Sequence, residues 1–249
     1  MKIIIIILFT LTSYSLLSQG FNGKITYQVS SNSAINIERI KKDSTIKTDI
    51  SRNAYLNLAK NAIPLNFLLV FNKEEANFKA EFDRITMRRM GQIQNYIGSM
   101  AKSHLVYYDA RGIEKVLGHS IHFNDIIIAY DAVKWKFTQE TKMIGTYICY
   151  KATAVINKQQ DLARKNYIKP IVAWFCPEIP VHFGIRNFKG LPGLTMELTI
   201  ETGRGVLYYK ATKIELNTTE KIKIEKFKGK ELTEDEYLEF MSQMNYQSR

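Results

Sequence analysis

Apolar and polar residues alternate with a period of two along much of the chain, which is the pattern of β-strands that bury one face. The clearest run lies at residues 194–201, where Leu194, Met196, Leu198 and Ile200 alternate with Thr195, Glu197, Thr199 and Glu201. We expect the apolar members of this strand to face the core and Thr195 to face solvent. Further strands are predicted over residues 25–29, 78–82, 146–156 and 170–176, and another strand opens with Trp135 and Phe137.

Glycine-containing turns connect these strands into a meander. The run Thr202-Gly203-Arg204-Gly205 predicts a hairpin into residues 206–216, and Gly145 marks a return into residues 146–156. Ile222 and Ile224 are expected to continue the sheet as a further strand. The pattern predicts a mainly β fold, an antiparallel meander that forms a curved sheet or a partial barrel.

Helices are few and short. Thr233, followed by Glu236 three residues later, forms a capping box for a helix at the C-terminus. The apolar stripe of that helix consists of Tyr237, Leu238, Met241 and Met244. Residues 51–62 and 88–102 are further helix candidates. Helices do not alternate with strands as they do in nucleotide-binding sheets, which argues against that fold class.

The first 18 residues have the layout of a secretory signal peptide. Met1-Lys2 provides the positive end, Ile3 to Phe9 is an unbroken apolar run, and Ser18-Gln19-Gly20 offers small residues for cleavage. This apolar run is short for a membrane span, and no later stretch is long enough for a transmembrane helix. We expect residues 1–18 to be removed and residues 19–249 to form a single domain in the periplasm or cell envelope.

The net charge of +11 does not point to nucleic acid. Lysine and arginine are scattered apart from short doublets such as Lys41-Lys42 and Arg88-Arg89, and no basic stripe or binding motif accompanies them. Exposed strand faces and edges commonly carry lysine for solubility. We therefore expect no nucleic-acid partner.

No motif for catalysis or cofactor binding is present. The chain lacks a glycine-rich phosphate loop, a serine flanked by glycines and a His-Glu-x-x-His pair. Of the four histidines, His104, His119, His122 and His182, the pair His119 and His122 would lie on opposite faces of an extended segment, which is poor geometry for a shared metal. We expect no catalytic residue, metal or cofactor.

The densest local signal lies between residues 174 and 194. Trp174 precedes the corner Pro177-Glu178-Ile179-Pro180, and Gly190-Leu191-Pro192-Gly193-Leu194 places proline and glycine where a type II turn needs them. One interpretation is that this rigid unit sets strand register and closes the core. The alternative is that it presents a binding surface made of Trp174, Glu178, His182 and Arg186.

Cys149 and Cys176 are the only cysteines, and both fall in predicted strands. In an oxidising compartment they can form a disulfide, provided that the two strands are neighbours and the side chains face each other. Two buried free thiols are the alternative, and the sequence leaves both open.

At the corner and the glycine motif, the chain resembles the GLPGLI family, small exported proteins of Bacteroidetes-type bacteria. The resemblance rests on Gly190-Leu191-Pro192-Gly193-Leu194 and on Trp174 followed by Pro177-Glu178-Ile179-Pro180, and it extends upstream through Lys134-Trp135, Glu140-Thr141-Lys142, Ile144-Gly145 and Tyr147. Gly23 to Tyr27 and Tyr107-Tyr108-Asp109 fit more loosely. Three positions depart from the family's pattern: Thr195 stands for Ile, Cys176 for Thr, and Ile185 for Pro. The resemblance implies export and a β-rich fold, and no catalytic residues can be carried over from it.

These observations favour an exported, non-enzymatic protein that binds or carries an apolar ligand or binds a protein partner. One alternative is an accessory subunit of an outer-membrane transport or secretion system, so that the partner would be an outer-membrane protein. Another is a hydrolase with dispersed catalytic residues. A large apolar concavity on the sheet, or co-purified lipid, would favour the binding protein.

Overall fold

The computed structural model describes residues 21–81, 96–101, 106–109, 114–118, 126–130, 132–156, 169–186 and 188–247. The predicted signal peptide lies outside the described residues, as do His104, His119, His122 and most of the helix candidate at 88–102. The signal peptide therefore stays a prediction.

Strands dominate the described part of the chain. Twelve strands and four helices follow one another in this order: β1 (Gly23–Ser31), α1 (Ser33–Lys42), α2 (Asp49–Lys60), β2 (Leu65–Phe71), β3 (Ala76–Glu81), α3 (Tyr96–Ala101), β4 (Val106–Tyr108), β5 (Glu114–Gly118), β6 (Ile126–Tyr130), β7 (Lys136–Ile144), β8 (Tyr147–Ala154), β9 (Ile171–Cys176), β10 (Leu194–Thr202), β11 (Gly205–Leu216), β12 (Lys230–Thr233) and α4 (Glu234–Gln247).

The strands form one sheet in the order β12-β6-β5-β4-β3-β2-β1-β11-β10-β9-β8-β7. Neighbouring strands are antiparallel except β12, which runs parallel to β6. Two-residue turns close the hairpins β7–β8 and β10–β11, at Gly145 and at Gly203-Arg204 as predicted. Within the described residues no pairing joins β7 to β12, so the sheet is open. The predicted mainly β fold and antiparallel meander are confirmed.

One side of the sheet, called the inner face below, carries the core. The cross-strand register sets Tyr27 of β1 opposite Phe67 of β2 and Ala211 of β11. The Phe67 ring stacks on Phe78 of β3 with centroids 5.4 Å apart, and all three aromatic side chains are fully buried. Burying such a ring stabilises the fold by roughly 2–3 kcal/mol relative to leaving it exposed. This continuous apolar face is what the period-two alternation predicts.

A β-bulge at Met196 overturns the expectation for Thr195. The register of β10 with β9 runs through Thr195–Phe175 and resumes at Glu197–Trp174, so Met196 is an extra residue without a partner. Thr195 is thereby placed on the inner face with Phe175, and it is 1% exposed. The Tyr27 hydroxyl donates to the Thr195 carbonyl at 2.8 Å. The prediction that Thr195 faces solvent is wrong, because regular alternation does not hold across a bulge.

Residues 217–228 do not form the strand predicted at Ile222 and Ile224. Asn77 of β3 holds this segment by two hydrogen bonds to the Glu225 backbone: its Nδ2 donates to the carbonyl at 2.9 Å, and its Oδ1 accepts from the N–H at 2.6 Å. The Lys79 ammonium pairs with the Glu225 carboxylate at 2.8 Å. Hydrogen bonds from the Asn77 side chain thus hold this segment in place of the backbone hydrogen bonds that a strand would make. The segment passes β3 and then leads into β12.

The helix ends follow from local capping. The side chain of Asn32 accepts from the Ile35 N–H at 3.1 Å and starts α1, which the sequence-based prediction lacked. Thr48 caps α2, which begins two residues earlier than predicted. The capping box of α4 is confirmed, since Thr233 Oγ1 accepts from the Glu236 N–H at 3.3 Å and the Glu236 carboxylate accepts from the Thr233 N–H at 2.7 Å. No helix within the described ranges has both the length and the apolar character needed to cross a membrane.

Candidate functional site

Residues 177–193, called the corner loop below, connect β9 to β10, and the buried side chains among its described residues pack on the inner face. Phe183 packs the loop against strands that are distant in sequence. Its ring centroid lies 6.4 Å from that of Phe71 in β2 and 5.7 Å from that of Tyr108 in β4. The apolar side chains of the loop are at most 3% exposed: Ile179, Val181, Phe183, Ile185, Phe188 and Leu191. The loop therefore fills much of the inner face with the chain's own side chains.

Hydrogen bonds to backbone carbonyls of the corner loop hold it against the strands. Leu194 N–H donates to the Ile179 carbonyl at 2.9 Å, and the Tyr108 hydroxyl donates to the Gly184 carbonyl at 2.9 Å. Gly193 has φ +147°, and a Cβ there would lie 2.2 Å from the carbonyl oxygen of Cys176. The positive φ expected at Gly193 is present, but the Leu194 N–H bonds to the corner instead of closing a type II turn.

The other residues of the Gly190–Leu194 motif and the prolines of the corner loop differ in their exposure. Leu191 is 3% exposed and Leu194 is fully buried, whereas Gly190 has φ +98° and is exposed at the surface. The three prolines Pro177, Pro180 and Pro192 are also exposed. The motif thus alternates rigid surface positions with buried leucines, which suits a structural corner.

The four residues predicted as a binding surface are not presented together. Glu178 and His182 are exposed in the corner loop. Arg186 is 7% exposed and has φ +53°, and one of its guanidinium nitrogens donates to the Ala101 carbonyl of α3. Its side chain therefore lies inside the protein, where a partner at the surface would not contact it.

Trp174 lies on the outer face, the side of the sheet opposite the one that carries Phe175. The Lys142 ammonium lies 4.3 Å from the Trp174 ring centroid and that of Lys151 lies 5.9 Å away. Lys142 also pairs with Glu197, and Lys151 pairs with Glu140 at 2.9 Å. The two lysines are therefore neutralised by carboxylates on other strands of the sheet. These ion pairs and the lysine–tryptophan contacts stabilise the sheet surface around Trp174.

An exposed apolar surface, which the sequence analysis did not identify, lies at the β7 edge of the sheet. It consists of Phe137 (54% exposed), Met143 (59%), Ile148 (46%) and Tyr150 (41%), and it is called the β7–β8 patch below. Local alternation could not reveal it, because an edge hairpin and a central hairpin have the same period-two pattern and only the strand order separates them.

The β7–β8 patch continues the inner face beyond the core. Met143 lies opposite Ile148 and Phe137 lies opposite Ala152, so all of them share the face of the buried Phe175. The ring centroids of Phe137 and Tyr150 are 5.7 Å and 6.2 Å from that of Phe175. The patch is therefore anchored on a core aromatic side chain and does not consist of isolated surface residues.

The edge of β7 that points away from β8 has no partner strand in the part of the chain that the structure describes. A register shift between Phe137 and Thr141 interrupts β7, which leaves residues 141–144 as its regular end. Lys134 and Lys136 are exposed next to the patch, and neither takes part in an ion pair with a described residue. The site thus combines an open strand end, an apolar face and positive charge.

A cleft of about 700 Å³ opens beside the β7–β8 turn on the outer side. Its lining includes Lys142, Tyr147, Glu197 and Lys210. Lys142 and Glu197 pair with each other there, and Glu197 lies opposite Lys210 in the sheet. No group of three or more metal-ligating side chains occurs among the described residues.

Together the fold and the site describe an open β-sheet protein with an apolar patch at one edge. A family model described as a protein of unknown function (Porph_ging) matches residues 157–197. The residues of this matched stretch that the structure describes include β9, the corner loop and the beginning of β10. No curated protein matches the chain.

Two solved structures resemble the fold. They are described as "Structure of PNGF-II in C2 space group" and "Structure of PNGF-II in P21 space group", and each has a TM-score of 0.48. Their sequences are 14% and 15% identical, and the similarity covers 90% and 89% of this chain. This chain spans a third (33%) of the length of each of those chains, and a likeness at this level carries no inference about function.

Proposed function

We propose that this chain is an exported cell-envelope protein of the GLPGLI type that binds a protein partner through the β7–β8 patch and catalyses no reaction. The signal-peptide layout of residues 1–18 supports export. The glycine and proline motif of the corner loop, within the stretch matched by the family of unknown function, supports the relationship. Cleavage after Ser18 is the expected processing step, and the mass of the N-terminal peptide of protein from an envelope fraction tests it.

The exposed β7–β8 patch is the observation that carries the binding proposal. Four large apolar side chains, each between 41% and 59% exposed, share one face of a hairpin at an open sheet edge. Water contact with such a surface is unfavourable by roughly 25 cal/mol per Å² of apolar area. Covering it with a partner recovers that free energy, which is why contiguous apolar patches mark interaction surfaces.

An extended protein segment suits the patch better than a small apolar ligand does. Small ligands bind in concave sites that enclose most of their surface, whereas the corner loop already occupies much of the inner face and the patch lies at the rim. The regular end of β7 at residues 141–144 offers backbone groups for one added strand. The exposed Lys134 and Lys136 and the net charge of +11 favour acidic residues beside the apolar ones in the partner.

The alternative of an accessory subunit of an outer-membrane transport or secretion system specifies the partner further. In that case the protein captured by the patch is an outer-membrane component. The identity of the captured protein decides between the two, since the surface involved is the same.

Replacing Ile148 by lysine is expected to weaken partner capture at least tenfold, since a charge in the centre of an apolar contact must be desolvated without a counter-charge. Affinity capture from envelope extract, followed by protein identification, measures the change. Ile50→Lys is the matched control, because Ile50 is an isoleucine that is 85% exposed on α2, away from the patch.

Wild-type and Ile50→Lys protein should retain the same acidic protein, and Ile148→Lys should lose it while keeping the wild-type unfolding midpoint. Equal retention by all three proteins would contradict the proposal. A lipid bound at a 1:1 ratio, found by native mass spectrometry with lipid extraction, would instead support the apolar-ligand carrier.

A further inference from the structure

Cys149 of β8 and Cys176 of β9 both lie on the outer face, since each follows or precedes a residue of the inner face. The two strands pair from Tyr150–Phe175 to Ala154–Ile171, and continuing that register by one position sets Cys149 opposite Cys176. Directly opposite residues of antiparallel strands have Cα atoms about 4.5–5.5 Å apart. That spacing lies within the range of roughly 4.4–6.8 Å that a disulfide bridges.

The surroundings of the two thiols disfavour other roles. Both residues are fully buried and free in the structure. Burial raises the pKa of the Cys149 thiol to about 11, and the neighbouring Cys176 adds to this shift. Burial also raises the pKa of Cys176, against the opposing effect of the Glu178 and Ile179 N–H groups. Nucleophilic and metal-binding cysteines act as thiolates, which this environment makes scarce.

We propose that Cys149 and Cys176 form a disulfide that ties β8 to β9. The bond forms during folding by exchange with a disulfide-carrying oxidant, because the folded thiols are inaccessible and poorly nucleophilic. One thiolate attacks the oxidant's disulfide and releases a thiol, and the second thiolate then attacks the mixed disulfide and releases another. The two protons lost by the cysteines end on the two released thiols, so that the oxidant is reduced and the cysteine pair is oxidised.

The disulfide would hold the strand that carries half of the β7–β8 patch. Ile148 and Tyr150 flank Cys149 in β8 and point to the opposite face. A cross-link to β9 keeps these two side chains in register with Phe175 when the edge of the sheet opens. Closing the loop between residues 149 and 176 is expected to raise the folding equilibrium constant by on the order of a hundredfold.

Oxidative refolding tests the pairing without any assumption about export. The reduced, unfolded chain is refolded with a mixture of reduced and oxidised glutathione, and its mass, its thiol labelling by iodoacetamide in denaturant and its unfolding midpoint are measured. The expected mass is lower by two hydrogen atoms, with no labelled cysteine and one peptide pair linking Cys149 to Cys176. Reductant should lower the unfolding midpoint of this protein and leave that of the C149A/C176A variant unchanged.

Two labelled thiols after oxidative refolding, or two glutathione adducts, would overturn the pairing. The physiological bond also rests on the proposed export, since it needs an oxidising compartment. A disulfide that forms in the refolding mixture but is missing from protein isolated from cells would therefore contradict export while supporting the pairing geometry.

Discussion

Replacing Gly193 by alanine is expected to lower the free energy of unfolding by about 3–5 kcal/mol, from backbone strain and steric overlap together. With φ at +147°, the added Cβ would lie 2.2 Å from the Cys176 carbonyl oxygen and 2.8 Å from Pro177 Cα. Both are backbone atoms that cannot rotate aside, so the corner loop and the beginning of β10 must shift together. Denaturant unfolding followed by tryptophan fluorescence measures the loss, because Trp174 lies close to the corner in β9.

Two other glycines separate the causes of that loss. Gly145 has φ +62° but nothing within 4 Å of its added Cβ, so Gly145→Ala should cost about 1–2 kcal/mol from the backbone conformation alone. Gly203 has open space and no positive φ, so Gly203→Ala should stay within about 0.5 kcal/mol of wild type. If Gly193→Ala were no more destabilising than Gly145→Ala, this result would contradict the claim that the backbone at Gly193 packs tightly against the end of β9.

Replacing Phe183 by alanine is expected to cost a similar amount, about 3–5 kcal/mol. Phe183 is 3% exposed and brings the corner loop into contact with Phe71 and Tyr108, so its removal leaves a cavity between the loop and the distant strands. The change in the denaturation midpoint at unchanged slope measures this cost.

Glu178→Ala is the control within the same loop. Glu178 is exposed, so this variant should stay within about 0.5 kcal/mol of wild type. A Phe183→Ala variant as stable as Glu178→Ala would mean that the loop does not pack on the inner face. The apolar-ligand carrier would then regain support, because the inner face would be free.

The strands that were predicted, β1, β3 and β7 to β11, have a local signal. The sequence analysis did not predict β2, β4, β5, β6 or β12. Period-two alternation and glycine turns identified the β10–β11 hairpin and the return at Gly145, and the Thr233–Glu236 capping box identified α4. Each of these features depends on residues that are close in sequence. The mainly β class follows from them without knowledge of which strands are neighbours.

Strand order and packing between distant segments were not predictable in the same way. The bulge at Met196, which moves Thr195 to the inner face, arises from the register with β9. The hydrogen bonds from Asn77 to Glu225 join residues far apart in sequence, and they replace the strand expected at residues 222–224. A local pattern contains no information about either contact.

The candidate site shows the same limit. Arg186 was grouped with Glu178 and His182 because all three are polar residues of one loop, but its guanidinium lies inside the protein against α3. The β7–β8 patch was missed because its apolar residues resemble core residues until β7 is known to be the last strand. Charge and polarity in a sequence therefore do not separate surface from interior when a loop packs on the inner face of a sheet.

Site-specific photo-cross-linking in cells tests most directly the claim that the β7–β8 patch binds a protein partner. A benzophenone amino acid is placed at position 148 of the exported chain and, as a control, at position 50. The account predicts one heavier adduct at position 148 after irradiation, with an acidic envelope protein identified by mass spectrometry, and no adduct at position 50. Equal adducts at both positions, or no protein adduct at position 148, would contradict it.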